Sequence, residues 1–251
     1  MASAHTHVEV GLFAGTIVGT AVLHLSPEAL AVIVLSSGGA ALLPDLDTRD
    51  SAASHVFGEL SVMALTPFRW ITLGHRKLTH TLLWAVGMWA LIYFWIGHLF
   101  PVSHGLLPPY WPIRLLIPVG LSLLAVRSLL TNSGAFKAIV PRRHLVFCYF
   151  ITFLAVGYLC HQLGTAPGFV EAMALAFGVG SASHVVADAF FESGVPMFFP
   201  IPPSFRQHVA FAHFPVYNES LGGRKRRSFA DHLMGDLAFL AAIVVIVLYL
   251  R

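Results

Sequence analysis

Four short stretches of this chain carry the residue types that chemistry needs. In GHRKLTHTLLW, residues 74–84, His75 and His80 flank Arg76 and Lys77 at the front of an apolar run. LLPDLDTRDS, residues 42–51, ends another apolar run on Asp45 and Asp47, two carboxylates on alternate residues. SASHVVADAF, residues 181–190, sets His184 and Asp188 four apart, and HTH near the start offers His5 and His7. Imidazoles with carboxylates make a ligand set suited to zinc, with manganese or iron as alternatives, over one to three ions. Such an ion lowers the pKa of its bound water to about 7, and a pair of ions steadies both the attacking and leaving oxygens of a phosphoester. A guanidinium beside the metal, that of Arg76, would hold a phosphate by paired hydrogen bonds.

Each stretch also has a plainer reading. On a helix, His184 and Asp188 share one face a turn apart, which suits two ligands of one metal and equally a hydrogen bond near a helix end. Asp45 and Asp47 follow Pro44, where a polar turn is the bland reading; yet the dipole at a helix C-terminus disfavours anions, so two carboxylates there ask for a cation. Arg76 and Lys77 fit a basic anchor against lipid headgroups, whereas histidines, mostly uncharged at neutral pH, anchor poorly. Thr79 could cap the helix that follows. His232 and Asp236 repeat the spacing of His184 and Asp188, but Asp231 beside them reads as a helix cap. His208, His213, His55, Glu59, Asp50 and Glu9 rank as outer groups.

The elements that must position these residues are membrane helices. The chain is 57% hydrophobic with 11% charged residues and 20 Phe in 251 residues, and its mean hydropathy is +0.76. Soluble domains hold roughly 45–50% apolar residues. Apolar runs place helices at 9–24, 28–43, 80–99, 113–131, 144–163, 169–187 and 233–250, which makes an all-α polytopic bundle of six or seven spans in a single domain, residues 1–251. Ser26 and Pro27 are placed to cap and open the second helix. Gly11, Gly15 and Gly19 form a row suited to close helix packing. Cys148 and Cys160, twelve residues apart on one helix, cannot bridge. The opening MASAHTHVEV has no basic region of a secretory leader, so the first apolar segment is expected to stay attached.

Charge sets the orientation. The connections 44–79, 132–143 and 188–232 carry Lys and Arg, the last with Arg206 and the RKRR run at 224–227, while 25–27, 100–112 and 164–168 carry none. The positive-inside rule then puts the N-terminus in the cytoplasm, makes 188–232 a long basic cytoplasmic loop, and gathers His7, Asp45, Asp47, His75, His80, His184 and Asp188 at the cytoplasmic face. Fourteen histidines against twelve acidic residues make imidazole the commonest ionisable ligand on offer.

These residues resemble a family, the YdjM-like membrane proteins, described as LexA-regulated, membrane-bound, metal-dependent hydrolases. The resemblance rests on HTHVEVG, LLPDLDTRDS, GHRKLTHTLL and GSASHVVADAFFESGVPMFFPI, in that order. The family blocks run T-H-x-x-x-G, P-D-x-D, H-R-x-x-T-H-S and S-H-x-x-x-D-x-x-T-x-x-G-V. They select His7, Asp45, Asp47, His75, Arg76, Thr79, His80, His184 and Asp188. Thr81 stands where the family has serine, and Phe191 where it has threonine, which removes a hydroxyl. A looser likeness, through H-x-x-x-D and an N-terminal histidine, is to zinc-dependent phospholipase C.

The resemblance and the residues together lead to the expectation of a multi-pass inner-membrane hydrolase cleaving a phosphoester or ester bond of a lipid by metal-activated water. In it His7, Asp45, Asp47, His75, His80, His184 and Asp188 bind metal, Asp47, His80 and Arg76 are catalytic, and Arg76 and Lys77 bind substrate. The bilayer and a lipid or phosphorylated lipid are the partners; no nucleic acid is expected. A metal-ion or proton transporter would use the same cluster, although transport favours ionisable residues at the bilayer midplane. A non-catalytic scaffold would leave the His/Asp pattern without a role.

Overall fold

The computed structural model describes residues 3–49, 51, 54, 62–63, 65–72, 78–94, 111–132, 140–163, 168–190, 195–197, 217–219, 225–227 and 229–251. Among the described residues the architecture is helical apart from one short antiparallel ribbon. Its helices are α1 (Ala4–Ile17), α2 (Pro27–Ala40), α3 (Thr66–Ile71), α4 (Leu82–Phe94), α5 (Trp111–Asn132), α6 (Leu145–Leu163), α7 (Phe169–Ala189) and α8 (Phe229–Tyr249). The ribbon pairs β1 (Tyr217–Glu219) with β2 (Lys225–Arg227) inside the connection between α7 and α8. The described part of each apolar run lies mostly on one of these helices, the first continuing from α1 into a π turn. Among the described residues four helical segments are long and apolar enough to cross a membrane: Pro27–Asp47, Leu145–Leu163, Phe169–Ala189 and Ala230–Tyr249. Leu82–Phe94 and Leu116–Thr131 are shorter apolar stretches.

Local sequence explains where the helices begin and end. The Ser26 hydroxyl accepts from the Ala29 amide at 3.4 Å with Pro27 in the first turn, the cap that the sequence predicts. Ser3 caps α1 in the same way, accepting from the Thr6 amide at 3.3 Å. α1 ends in a π turn, Val18–Val22. Pro44 cannot donate to a continuing helix, and beyond α2 the chain tightens into a 3-10 turn, Pro44–Asp47. A second 3-10 turn, Leu78–His80, precedes α4. Thr81 caps α4, its hydroxyl donating to the Leu78 carbonyl at 2.7 Å and accepting from the Trp84 amide at 3.0 Å. That corrects the sequence expectation that Thr79 would serve as the cap.

α2 is the axis of the bundle: 78% of its apolar window is buried, against 11% for α6 and 11% for α8, which present most of their surface outward. Small residues make this possible. The Gly11–Gly15–Gly19 row of α1 lies directly on α2, where a Cβ on Gly11 would stand 2.8 Å from the Ala41 Cβ and one on Gly15 would stand 2.7 Å from the Ser37 Cβ. The row is thus spent on packing within the chain. On the other sides of α2, a Cβ on Gly180 of α7 would collide with the Ser37 carbonyl, and one on Gly39 with the Leu121 carbonyl of α5. Where helices gain little from expelling lipid, such close backbone approach supplies the van der Waals contact that holds them. Val32, Ile33, Met173, Phe177, Val119 and Leu121 fill the core around this axis. Cys148 and Cys160 are free thiols on α6.

A buried histidine and carboxylate cluster

Four elements meet at the end of the bundle where α1 begins and α2 and α7 end. α1 brings His7, the 3-10 turn after α2 brings Asp45 and Asp47, the turn before α4 brings Thr79 and His80, and the last two turns of α7 bring His184 and Asp188. The fractional exposures are 0% for His7, His80 and His184, 1% for Asp188, 4% for Asp47 and 7% for Asp45. Carboxylates withdrawn this far from water must be matched by positive charge or by strong donors.

Hydrogen bonds fix which nitrogen of two histidines faces the centre. His184 Nδ1 donates to the Ala41 carbonyl at 2.7 Å, leaving the lone pair on Nε2. The Thr79 hydroxyl donates to Asp47 Oδ2, so its oxygen accepts from His80 Nδ1 at 3.1 Å. The Nε2 of His80 then faces inward as well, 3.1 Å from the Nε2 of His184. Two lone pairs cannot face each other at that distance without a proton or a cation between them. Second partners of this kind, fixing the tautomer of a histidine, are what metal-ligating imidazoles carry.

The carboxylates complete the arrangement. Asp45 Oδ1 lies 3.5 Å from His80 Nε2 and 3.7 Å from His184 Nε2, and Asp188 Oδ2 lies 3.7 and 3.8 Å from the same two nitrogens. Ligands held about 2.0–2.1 Å from a tetrahedral zinc are about 3.3–3.4 Å apart; the two nitrogens are 3.1 Å apart and each carboxylate oxygen lies 3.5–3.8 Å from both, close to the spacing of metal ligands. His7 stacks on His184 with ring centroids 3.7 Å apart and sets its Nε2 3.3 Å from Asp188 Oδ1. Among the described residues, Asp45 Oδ1 and both His7 nitrogens are buried with no hydrogen-bond partner. His7, His184 and Asp188 form one group fit to hold an ion, and Asp45, His80 and His184 form another that shares His184 with it.

Asp47 sits differently. Its Oδ2 is 3.5 Å from His80 Nδ1, on the far side of the imidazole from the centre. Burial pushes the His80 pKa down, but the carboxylates of Asp45 and Asp47 outweigh it and hold the imidazole up at about 9. His80 lies in the turn ahead of α4, outside the four long apolar segments.

The structure therefore brings His7, Asp45, His80, His184 and Asp188 together, with Thr79 and Asp47 behind His80. His75, Arg76, Lys77 and Phe191 lie outside the described residues, as do His55, Glu59, Asp50, His208 and His213 and most of the basic loop. His232 and Asp236 are exposed on α8. Asp231 belongs to the first turn of α8 and accepts from the Ser3 amide at 2.9 Å, so it serves the start of α1 as well. Sequence reading missed the relay role of Thr79. The signal was there, since Thr79 directly precedes His80.

A family model described as YdjM inner membrane protein matches residues 1–251, the whole chain. No curated protein and no solved structure matches it.

Proposed function

We propose, on the premise that this chain belongs to the YdjM inner membrane protein family, that it is a membrane-bound, metal-dependent hydrolase acting on a phosphoester or ester bond of a lipid. The observation that carries this reading is the pair of inward Nε2 atoms, 3.1 Å apart and flanked by Asp45 and Asp188. That donor set fits a divalent transition ion, zinc first, with manganese or iron as alternatives. Asp45, His80, His184 and Asp188 would hold the ion. Asp47 acts through Thr79 to orient His80, a role different from the ligand that the sequence pattern assigns to it. When bound, the ion supplies Lewis-acid polarisation of a phosphoryl or carbonyl oxygen and acidifies water.

The remaining groups divide the work. His7, its Nε2 3.3 Å from Asp188 Oδ1, is placed to orient that carboxylate or to hold an ion with His184 and Asp188. Arg76 and Lys77, next to His80 in sequence, are assigned the anionic part of the substrate. By the positive-inside rule the site faces the cytoplasm, with the N-terminus inside and seven spans; a reporter fused after Arg251 should then read as external.

The test is turnover of a panel of phosphorylated and ester-linked lipids by the purified full-length protein, with and without chelator. Chelator-sensitive hydrolysis, lost in His184→Ala and Asp188→Asn, is the expected result. Turnover that survives complete metal removal, or a folded His184→Ala protein with full metal content, would sink the reading.

A further inference from the structure

A second group of ligand-type side chains lies away from this centre. His5 and Glu9 are one turn apart on α1, with His5 Nε2 3.1 Å from Glu9 Oε1, and both side chains are about as buried as the first cluster, at 3% and 2%. Asp236 reaches them from α8, and one ligand atom from each of the three lies within 4.8 Å of the others. At about 100° per residue, His5 and Glu9 point about 180° away from His7 around α1. The body of the helix, about 10 Å across with its side chains, stands between the two groups. A binuclear centre needs its ions about 3.5–4 Å apart, so this group is separate from the first.

We propose that His5, Glu9 and Asp236 form a second divalent-cation site, which clamps α8 onto α1. The donor set is one imidazole and two carboxylates, suited to zinc or manganese. One imidazole and two carboxylates whose ligand atoms lie within 4.8 Å of one another, two of the three withdrawn from water, present the charge and the donors that a divalent cation takes. The helix opposite is shaped to receive Glu9. A Cβ at Gly235 would meet Glu9 Oε2 and stand 3.3 Å from the Thr6 Cα, so glycine at this position lets the carboxylate rest against α8. The register between the helices is fixed independently of any ion, by the Ser3 amide donating to Asp231 Oδ1 and the Thr6 hydroxyl donating to the Asp231 carbonyl, each at 2.9 Å. Asp236, exposed, gives an ion its way in. Because α1 also carries His7, an ion here holds the helix that serves the first centre.

The experiment titrates Zn2+ into the full-length protein in detergent and counts equivalents by elemental analysis after desalting. Wild type should bind one equivalent more than Asp236→Asn, an exposed and conservative change that leaves the fold intact. In a His184→Ala, Asp188→Asn background, which disables the first centre, one equivalent should remain and weaken at least tenfold on adding Glu9→Gln. X-ray absorption at the zinc edge of that background should show a single imidazole ligand. An unchanged zinc count in Asp236→Asn overturns the proposal, as does a folded background that binds none; either would mean that His5 and Glu9 form an ion pair only. Neither result bears on whether the first centre holds metal, which the wild-type count and the His184→Ala variant decide separately.

Discussion

Replacing Thr79 by valine removes one hydroxyl at nearly constant volume and cuts the link between Asp47 and His80 without touching a group that faces the centre. In the structure that hydroxyl donates to Asp47 Oδ2 and accepts from His80 Nδ1 at 3.1 Å. Valine can do neither, so the imidazole loses the partner that fixes its tautomer and angle. Loss of such an outer partner typically weakens metal binding 10–100-fold, which is about 1.4–2.7 kcal/mol. A separate cost falls on folding, about 1–3 kcal/mol, because Asp47, 4% exposed, loses a donor in a buried setting. The two effects separate in measurement: zinc affinity from competition with a chromophoric chelator, and stability from the thermal midpoint of the metal-free protein. Thr79→Ser keeps the hydroxyl and should recover most of both, whereas Asp45→Ala removes a ligand and should cost far more affinity. Zinc binding by folded Thr79→Val within about twofold of wild type would refute the relay.

Further outcomes follow from the structure. His80, held at about 9 against an ordinary 6.5, stabilises the metal-free protein fully below pH 6.5 and loses that contribution as pH rises through 9, so the apo thermal midpoint should fall across this window. Zinc must displace that proton, so apparent affinity should rise about tenfold per pH unit between those limits, with proton release visible by calorimetry in buffers of different ionisation enthalpy. Chelation should lower the thermal midpoint of wild type and leave metal-free His184→Ala unmoved. In Gly180→Ala the new Cβ would collide with the Ser37 carbonyl and lie 2.8 Å from the Ala40 Cβ; a cost of about 1–3 kcal/mol or more is expected, with weaker zinc binding because His184 is one turn along. Tyr249→Phe, which loses only the 2.7 Å bond to the Leu25 carbonyl at the other end of the bundle, should cost about 1 kcal/mol and leave zinc content unchanged.

What could be read from sequence and what could not divides along physical lines. Apolar runs are long and chemically plain, and the described part of each of the seven is mostly helical. His184 and Asp188 meet because a helical period of 3.6 makes residues four apart neighbours, which spacing alone reveals. Asp45 and Asp47 share no face, because the chain there is a 3-10 turn: at about 120° per residue, alternate residues point about 240° apart. An extended stretch would have put both carboxylates on one side, and nothing local to PDLD distinguishes the two. The pairing of Glu9 with Gly235 was illegible for another reason. In a membrane bundle both faces of a helix are apolar, so no pattern says which neighbour it meets, and only the tertiary register of α8 on α1 sets that carboxylate beside a glycine.

The cluster draws on residues from His7 on α1 to Asp188 on α7, far apart in the chain. During biosynthesis the early histidine and aspartates therefore enter the bilayer well before their partners exist. On the proposed reading, ion capture is a late event, after α7 has inserted and drawn its two donors up beside α1 and α2. Until then those early groups need water or the insertion machinery as a temporary host, and a metal-dependent protein built this way would wait for its ion at the end of assembly.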